Sequence, residues 1–190
     1  MRGDYLVIAL GAGLNPNGVP GFAESAHNLY EAAGAHTLQQ ALTEFDGGEI
    51  AVLVSRMPYR CPAAPYEACF LMDSLFRDKE IRQRVEISIH TPGKKPMAVA
   101  GPAVGDALLD MLAEREITYG GDHMVSSIDP ASRRIMFDGE EATYDLLVGL
   151  PPHKAPQVVI DAGLIDSSGY IPVHPQNLEV LTDVENLATS

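Results

Sequence analysis

Residues 49–70, EIAVLVSRMPYRCPAAPYEACF, limit most strongly what this chain can fold into. The segment opens with an almost unbroken apolar run ending at Val54, which is typical of a strand buried on both faces of a parallel sheet. It closes with Pro65, suited to the first position of a helix, and Glu67, suited to the first turn. The segment therefore predicts a strand, a short loop and a helix over 65–78.

The loop of this unit contains three prolines and Cys61 but no glycine. Dinucleotide-binding folds place a glycine-rich turn at this point, so that the backbone can approach the pyrophosphate. Gly11 and Gly13 do not have the required spacing to a third glycine, and prolines follow them. The next predicted strand ends at His90 instead of the acidic residue that binds an NAD ribose. These features together argue against a nicotinamide cofactor.

The remaining chain alternates strands and helices before it changes to short strands. Strands are predicted at 4–10, 49–54, 85–90, 125–128, 134–137 and 144–150, and helices at 37–45, 65–78 and 102–115. Asp129-Pro130-Ala131-Ser132 is typical of a hairpin turn. This order predicts an α/β fold: a Rossmann-like domain of the FAD/NAD(P)-binding type, with a central, mostly parallel sheet, helices and a three-stranded antiparallel insert. The loops after 49–54 and 85–90 are then expected at the same carboxyl edge of the sheet.

The helix predicted at 65–78 has apolar positions at helical spacing, and we expect Ala68, Leu71, Met72 and Leu75 to lie on one face.

Net charge limits the partners of this chain. With a formal charge of −13, it is not expected to bind nucleic acid or an anionic membrane surface. Its apolar runs are too short for a transmembrane segment, and no secretory leader is evident. The two cysteines are not a disulfide framework, which favours a reducing compartment. The histidines show no metal-ligand spacing, so no metal site is predicted.

Cys61 has two interpretations. A free cysteine is commonly a small buried hydrophobe. Cys61, however, precedes a predicted helix amino terminus and lies near Arg56 and Arg60 in sequence, and both features favour a reactive thiolate. Cys69, in the middle of the predicted helix, is expected to serve packing. The chain is therefore either part of a redox enzyme or a non-enzymatic nucleotide-fold module for binding or assembly with a structural cysteine.

Five stretches of the sequence resemble one superfamily of flavoproteins. They are DYLVIALGA (4–12), SRMPYRCPAAPYEA (55–68), PMAVAGPAVGDAL (96–108), YDLLVGLPPHKAP (144–156) and GYIPVHPQNLEVLTDVENL (169–187). The chain resembles the FAD-dependent pyridine nucleotide–disulfide oxidoreductases, and within them the sulfide:quinone oxidoreductase and flavocytochrome c sulfide dehydrogenase branch. The Cys-Pro-x-x-Pro-Tyr-Glu stretch is the most specific part of the match.

This resemblance implies a domain organisation. Residues 1–35 would be a partial FAD-domain segment with a linker, 36–156 a central NAD(P)-binding-like domain, and 157–190 a second partial FAD-domain segment. The family's Gly-x-Gly-x-x-Gly fingerprint and its Ile-Gly-Asp motif do not occur in the sequence. We therefore expect a central-domain fragment that is inactive alone and binds no FAD itself, although the parent protein binds FAD.

The resemblance also implies site residues and partners. Cys61 would be the catalytic redox cysteine that takes up sulfide sulfur as a persulfide, and Gly11, Ala12 and Pro152 would lie against the flavin. His153 would be either a proton donor in the same cleft or a solvated loop residue. The parent would oxidise sulfide or a thiol by two electrons and pass them to a quinone or cytochrome. The parent protein is expected in the cytoplasm, where it would be peripheral to a membrane. A periplasmic location and a homo-oligomeric state are left open.

Overall fold

The computed structural model describes residues 4–181. The chain divides into two compact units, one formed by 16–152 and the other by 1–15 with 153–190. The strands are β1 (Gly13–Leu14), β2 (Ala26–Asn28), β3 (Gly48–Val54), β4 (Val85–His90), β5 (Ile117–Gly120), β6 (Val125–Asp129), β7 (Arg134–Phe137), β8 (Glu141–Thr143), β9 (Leu146–Leu150) and β10 (His153–Lys154). The α-helices are α1 (Phe22–Ser25), α2 (Ala32–Glu44), α3 (Ala64–Asp78), α4 (Pro102–Ala113) and α5 (Gln157–Asp161).

The larger unit is built on a five-stranded sheet of order β2-β9-β3-β4-β5 in which every neighbouring pair is parallel. Strands β6, β7 and β8 form a separate three-stranded antiparallel sheet. The predicted α/β class with a three-stranded insert is therefore confirmed.

The central strand β3 contributes side chains to the cores on both faces of the main sheet. Successive side chains of a strand point to opposite faces. Ile50 and Val52 join a core cluster that contains residues of α3 and β4, whereas Ala51 and Leu53 join a second cluster with residues of β6 and β7. Helices therefore cover one face of the main sheet and the antiparallel insert covers the other, so β3 is apolar and buried from Ile50 to Val54.

The predicted hairpin turn joins β6 to β7. Asp129 accepts hydrogen bonds from the Ala131 backbone N–H (2.9 Å) and the Ser132 hydroxyl (2.6 Å). A short acidic side chain that bonds the backbone two residues on stabilises such a turn. These bonds stabilise the charged form of the carboxylate, so the pKa of Asp129 is lowered.

The strand predicted at 4–10 is wrong. Residues 4–12 pair with no described strand, and Tyr5 is 95% exposed. An apolar run becomes a strand only where a sheet edge receives its backbone groups, and among residues 4–181 none does so here. Ile8 alone packs, against a small cluster with Ala155 and Val159 of the smaller unit.

Two further predictions need correction. Helix α2 begins at Ala32, five residues before the predicted start. Of the four residues predicted on one apolar face of α3, Ala68 and Met72 are buried, whereas Leu71 and Leu75 are 65% and 37% exposed. Helix α3 instead buries the face that carries Cys69 and Phe76, because that side meets the sheet.

Candidate functional site

The candidate site lies at the carboxyl edge of the main sheet, within the larger unit. We call residues 55–63, which follow β3, the cysteine loop, and residues 91–101, which follow β4, the lysine loop. The two strands are parallel neighbours, so their loops leave the sheet at the same edge. Side chains of both loops line one cavity, which confirms the predicted placement.

The cysteine loop is fixed at its base by buried hydrogen bonds. The Ser55 hydroxyl donates to the Leu150 carbonyl at 2.6 Å, and the Ser55 backbone N–H donates to the same oxygen at 3.1 Å. The Arg56 guanidinium donates to the carbonyls of Ser55 (2.7 Å) and Val125 (2.8 Å). Arg56 therefore ties the loop to the insert.

Cys61 is exposed and has a left-handed backbone, with φ of 51°. Residues other than glycine rarely adopt this conformation, and it concentrates at functional loops. The Cys61 carbonyl accepts a hydrogen bond from the Ala64 N–H at 2.9 Å, which closes the turn into α3. The thiol therefore lies three residues ahead of a long helix, as the sequence predicts.

An aromatic residue from outside the loop supports Cys61. The Tyr30 hydroxyl donates to the Arg60 carbonyl, and the Arg60 guanidinium lies 5.1 Å from the centre of the Tyr30 ring. Burial, followed by the charges of Cys61 and Tyr59, raises the pKa of Tyr30 to about 12, and the charge of Arg60 opposes this shift. Cys61 is therefore close enough to influence the pKa of two tyrosines, Tyr30 and Tyr59.

Three tyrosine side chains form a hydrogen-bonded chain through the site, in the order Tyr59, Tyr66 and Tyr119. The Tyr119 hydroxyl donates to the Gly93 carbonyl at 2.9 Å, and a carbonyl can only accept. Tyr119 must then accept from Tyr66. The single proton of the Tyr59 hydroxyl is shared between the Pro62 carbonyl, at 3.3 Å, and Tyr66. This tyrosine chain joins the cysteine loop, α3, β5 and the lysine loop into one network.

The cavity between the two loops has a volume of about 500 Å³. Apolar and aromatic side chains make up most of its wall, and Lys94 and Lys95 are its charged residues. Its lining is Met57, Pro58, Tyr59, Pro62, Tyr66, Thr91, Gly93, Lys94, Lys95, Met97, Ala98 and Val99. Such a size and composition are typical of small-molecule sites, which span roughly 300–1,000 Å³.

Cys69 lies in the core, where it is 0% exposed, in agreement with its predicted packing role. Burial raises the pKa of its thiol strongly. Cys61 and Cys69 therefore do not share an environment, and only Cys61 is presented to solvent.

The predicted flavin contacts belong to different units. Gly11 and Ala12 lie in the smaller one, just before β1, and Pro152 is buried at the end of the larger one. Gly11 has φ of 67°, and a Cβ added there meets nothing within 4 Å. This open backbone fits the edge of a flat ring system. The sequence contains no Gly-x-Gly-x-x-Gly turn for a pyrophosphate, so these residues by themselves fit only part of FAD. His153 lies in β10, where it pairs with Leu14 of β1.

Sequence reasoning missed the tyrosine chain and a buried histidine pair. His90 Nδ1 and His123 Nδ1 are 2.9 Å apart, so one ring donates and the other accepts. Tyr66 and Tyr119, like His90 and His123, lie tens of residues apart, so local periodicity carries no sign of these contacts. A tyrosine buried in the first turn of a helix, as Tyr66 is, was the one available signal.

Within residues 4–181, no three side chains of the metal-binding types come together as a ligand set. In the same range, no helix has both the length and the apolar character needed to cross a bilayer.

The sheet order, the insert and the site at the carboxyl edge define a Rossmann-type domain of the flavoprotein oxidoreductases. Residues 35–151 match the family model described as "Sulfide dehydrogenase [flavocytochrome c] flavoprotein chain, central". The match covers more than half of the chain, and the chain belongs to this family.

Known proteins agree with this assignment. The chain is 26% identical over 187 residues to the mitochondrial sulfide:quinone oxidoreductase of Mus musculus, covering 92% of this chain and 41% of that protein. It is 23% identical over 206 residues to the Dictyostelium discoideum protein of the same name, covering 98% and 45%. The crystal structure of the sulfide:quinone oxidoreductase from Aquifex aeolicus superposes with a TM-score of 0.74 at 22% identity, covering 91% and 42%. The chain thus spans less than half the length of these relatives.

Proposed function

We propose that this chain carries the sulfur-handling cysteine of an FAD-dependent oxidoreductase that removes two electrons from sulfide or a thiol. A quinone or a cytochrome would receive them. The observation that carries the proposal is Cys61: an exposed thiol, in a strained conformation, at the sheet edge where this fold binds ligands. Family membership and the names of the mouse and Dictyostelium relatives support the proposal.

Cys61 would enter the reaction as one half of a disulfide. Cys69 is fully buried, so the second thiol would come from another cysteine of the whole protein. Hydrosulfide attacks the Cys61 sulfur, a new S–S bond forms and the old one breaks. The second cysteine leaves as a thiolate with the bonding electron pair, and the hydrosulfide proton stays on the persulfide or passes to water.

The chain's own residues would hold Cys61 for this attack. Ser55 and Arg56 fix the base of the loop, and Tyr30 fixes the carbonyl just before the cysteine. FAD, when bound, supplies an acceptor for the electron pair released when sulfur is oxidised. Gly11, Ala12 and Pro152 are proposed to lie against its ring.

The chain itself permits a test of the sulfur chemistry. Cys61 is converted to a mixed disulfide with thionitrobenzoate, hydrosulfide is added, and the persulfide is trapped by alkylation and located by mass spectrometry. We expect one added sulfur atom at Cys61, formed about tenfold faster than in a peptide of residues 57–65 with the same mixed disulfide, because the folded loop holds the sulfur in one orientation ahead of the amino terminus of α3, whose positive potential attracts the hydrosulfide anion. Cys61→Ser is the blank. Equal rates in chain and peptide would favour the module with a structural cysteine.

A further inference from the structure

The cavity between the cysteine loop and the lysine loop has no role in the chemistry proposed for Cys61. We infer that it is a separate binding site for a small aromatic carboxylate or sulfonate. The inference rests on the shape, lining and charge of the cavity and holds whether or not Cys61 handles sulfur.

The wall of the cavity favours a flat, apolar body. Met57 and Met97 contribute thioethers, Tyr59 and Tyr66 contribute rings, and prolines and small aliphatic residues complete the lining. Thioethers and rings make favourable contacts with aromatic groups. Met57 is 52% and Val99 81% exposed, so the mouth presents apolar surface that an occupant would remove from water.

The tyrosine hydroxyls are already used within the wall. Tyr66 donates to Tyr119 and Tyr119 to the Gly93 carbonyl, whereas the Tyr59 proton is shared between the Pro62 carbonyl and Tyr66. Burial raises the pKa of all three tyrosines, which keeps them neutral. The tyrosines therefore offer no pair of free hydrogen-bond donors that could bind a phosphate. They also carry no negative charge that would repel an anionic ligand.

One lysine gives the cavity its charge preference. Lys95 forms an ion pair with Asp106 on α4, so its charge is compensated. Lys94 also lines the cavity, and among the described residues no ion pair or hydrogen bond of its side chain is found. A single uncompensated ammonium at the edge of an apolar cavity favours one monoanionic group attached to an apolar body.

The probe for the test is anilinonaphthalene sulfonate, an aromatic sulfonate that fluoresces in apolar sites, together with N-phenylnaphthylamine, its uncharged counterpart. We expect saturable binding of one sulfonate molecule per native chain. Lys94→Ala should weaken sulfonate binding about threefold, as expected for one exposed charge, and leave the uncharged probe unchanged. Lys95→Ala is the matched control and should have the smaller effect because Asp106 already neutralises that lysine.

The location is tested by filling the cavity. Ala98 lines it and is exposed, whereas Ala100 is exposed in the same turn but does not line it. Ala98→Trp should weaken both probes by more than about tenfold, and Ala100→Trp should change neither. Val99→Asp should weaken the binding of the sulfonate but not of the uncharged probe. This variant is also the test of location if Ala98→Trp unfolds the chain. If neither Ala98→Trp nor Val99→Asp changes sulfonate binding, or if Lys94→Ala affects both probes equally, the inference is wrong.

Discussion

Two cysteines eight positions apart in the sequence have opposite surroundings in the structure. Cys61 is exposed in a strained loop, whereas Cys69 lies on the buried face of α3. A thiol reacts with an alkylating agent only as an accessible thiolate. Exposure and loop conformation therefore separate a candidate reactive site from a packing residue of the same chemical type.

We expect iodoacetamide to modify Cys61 and spare Cys69 in the native chain, because Cys69 is fully buried and burial raises the pKa of its thiol. Both peptides are followed by mass spectrometry over time. In urea the two cysteines should react at similar rates, which is the internal control. Modification of Cys69 ahead of Cys61 under native conditions would remove Cys61 from the proposed role.

His90 should make the stability of the chain depend on pH. It is 6% exposed and packs against His123, and its Nε2 lies 3.1 Å from the Ser88 hydroxyl. Burial, followed by the charge of His123, lowers the pKa of His90 from 6.5 to about 4. Between these two values the unfolded chain binds a proton that the folded chain does not. The free energy of unfolding is therefore fully present above pH 6.5 and falls by up to about 3 kcal/mol as the pH drops towards 4.

The measurement is urea unfolding at a series of pH values from neutral to about pH 4. His90→Asn should flatten this dependence, because the group that takes up the proton is gone. His36→Asn, at an exposed position of α2, is the control and should keep the wild-type slope. An unchanged slope in His90→Asn would assign the acid sensitivity to other groups.

At the scale of helices and strands, an ion pair fixes α3 against the main sheet. Asp73 of α3 is buried and contacts Arg82 at 2.6 Å, and Arg82 also donates to the carbonyls of Val85 (2.6 Å) and Arg115 (2.6 Å). Burial raises the pKa of Asp73, but the hydrogen bonds and charges of Arg77 and Arg82 outweigh it, so its pKa is lowered. Arg82 thus connects α3, the start of β4 and the end of α4.

Removal of one member of a buried pair leaves an uncompensated charge. Arg82→Ala should lower the free energy of unfolding by about 2–3 kcal/mol, because Asp73 Oδ1 and the Val85 and Arg115 carbonyls lose their donor, while Arg77 still pairs with Asp73 Oδ2. Arg77 contacts the same carboxylate at 2.9 Å but is 52% exposed, so Arg77→Ala should cost less than about 1 kcal/mol. Urea unfolding at neutral pH compares the two, and equal losses would mean that Arg82 has no special structural role.

The same elements show what the sequence could and could not predict. Strands β3 and β4 were predicted to within one residue, β3 because it contains a continuous apolar run and β4 because apolar and polar residues alternate in it. The apolar face of α3 was predicted only in part, because Ala68 and Met72 are buried but Leu71 and Leu75 are exposed, and the buried side includes Asp73, whose partner is Arg82. Local periodicity contains no information about such a distant partner.

The candidate site, too, could be predicted from the sequence only in part. Its position, at the loop after β3, could be predicted from the strand–loop–helix pattern and from the order of elements. The residues that shape it could not, because Tyr30 and Tyr119 approach the cysteine loop only through tertiary contacts. The strand predicted at 4–10 failed for a related reason, since a strand requires a neighbouring edge that its own sequence cannot specify.

At the scale of the whole molecule, the fold keeps the architecture of a dinucleotide-binding domain but has lost its phosphate site. In such domains the amino terminus of the helix after the first strand offers free N–H groups to the pyrophosphate. Here the Ala64 N–H donates to the Cys61 carbonyl and the Glu67 N–H to the Ala63 carbonyl, and Pro65 has no N–H. At most one of the first four amides of α3 remains for a ligand.

NADH should therefore not raise the melting temperature of the chain. A ligand stabilises a protein only through its affinity for the native state, and here the amides for the pyrophosphate are occupied and β4 ends at a buried histidine where a ribose-binding carboxylate would stand. Thermal unfolding with and without millimolar NADH measures this, with Pro65→Ala as the companion variant because it restores one backbone donor. No shift is expected in the wild-type chain, and any shift in Pro65→Ala should be small, since the Ala64 and Glu67 amides remain bonded. A rise of several degrees in the wild-type chain would show that the proline-containing loop still accepts a pyrophosphate.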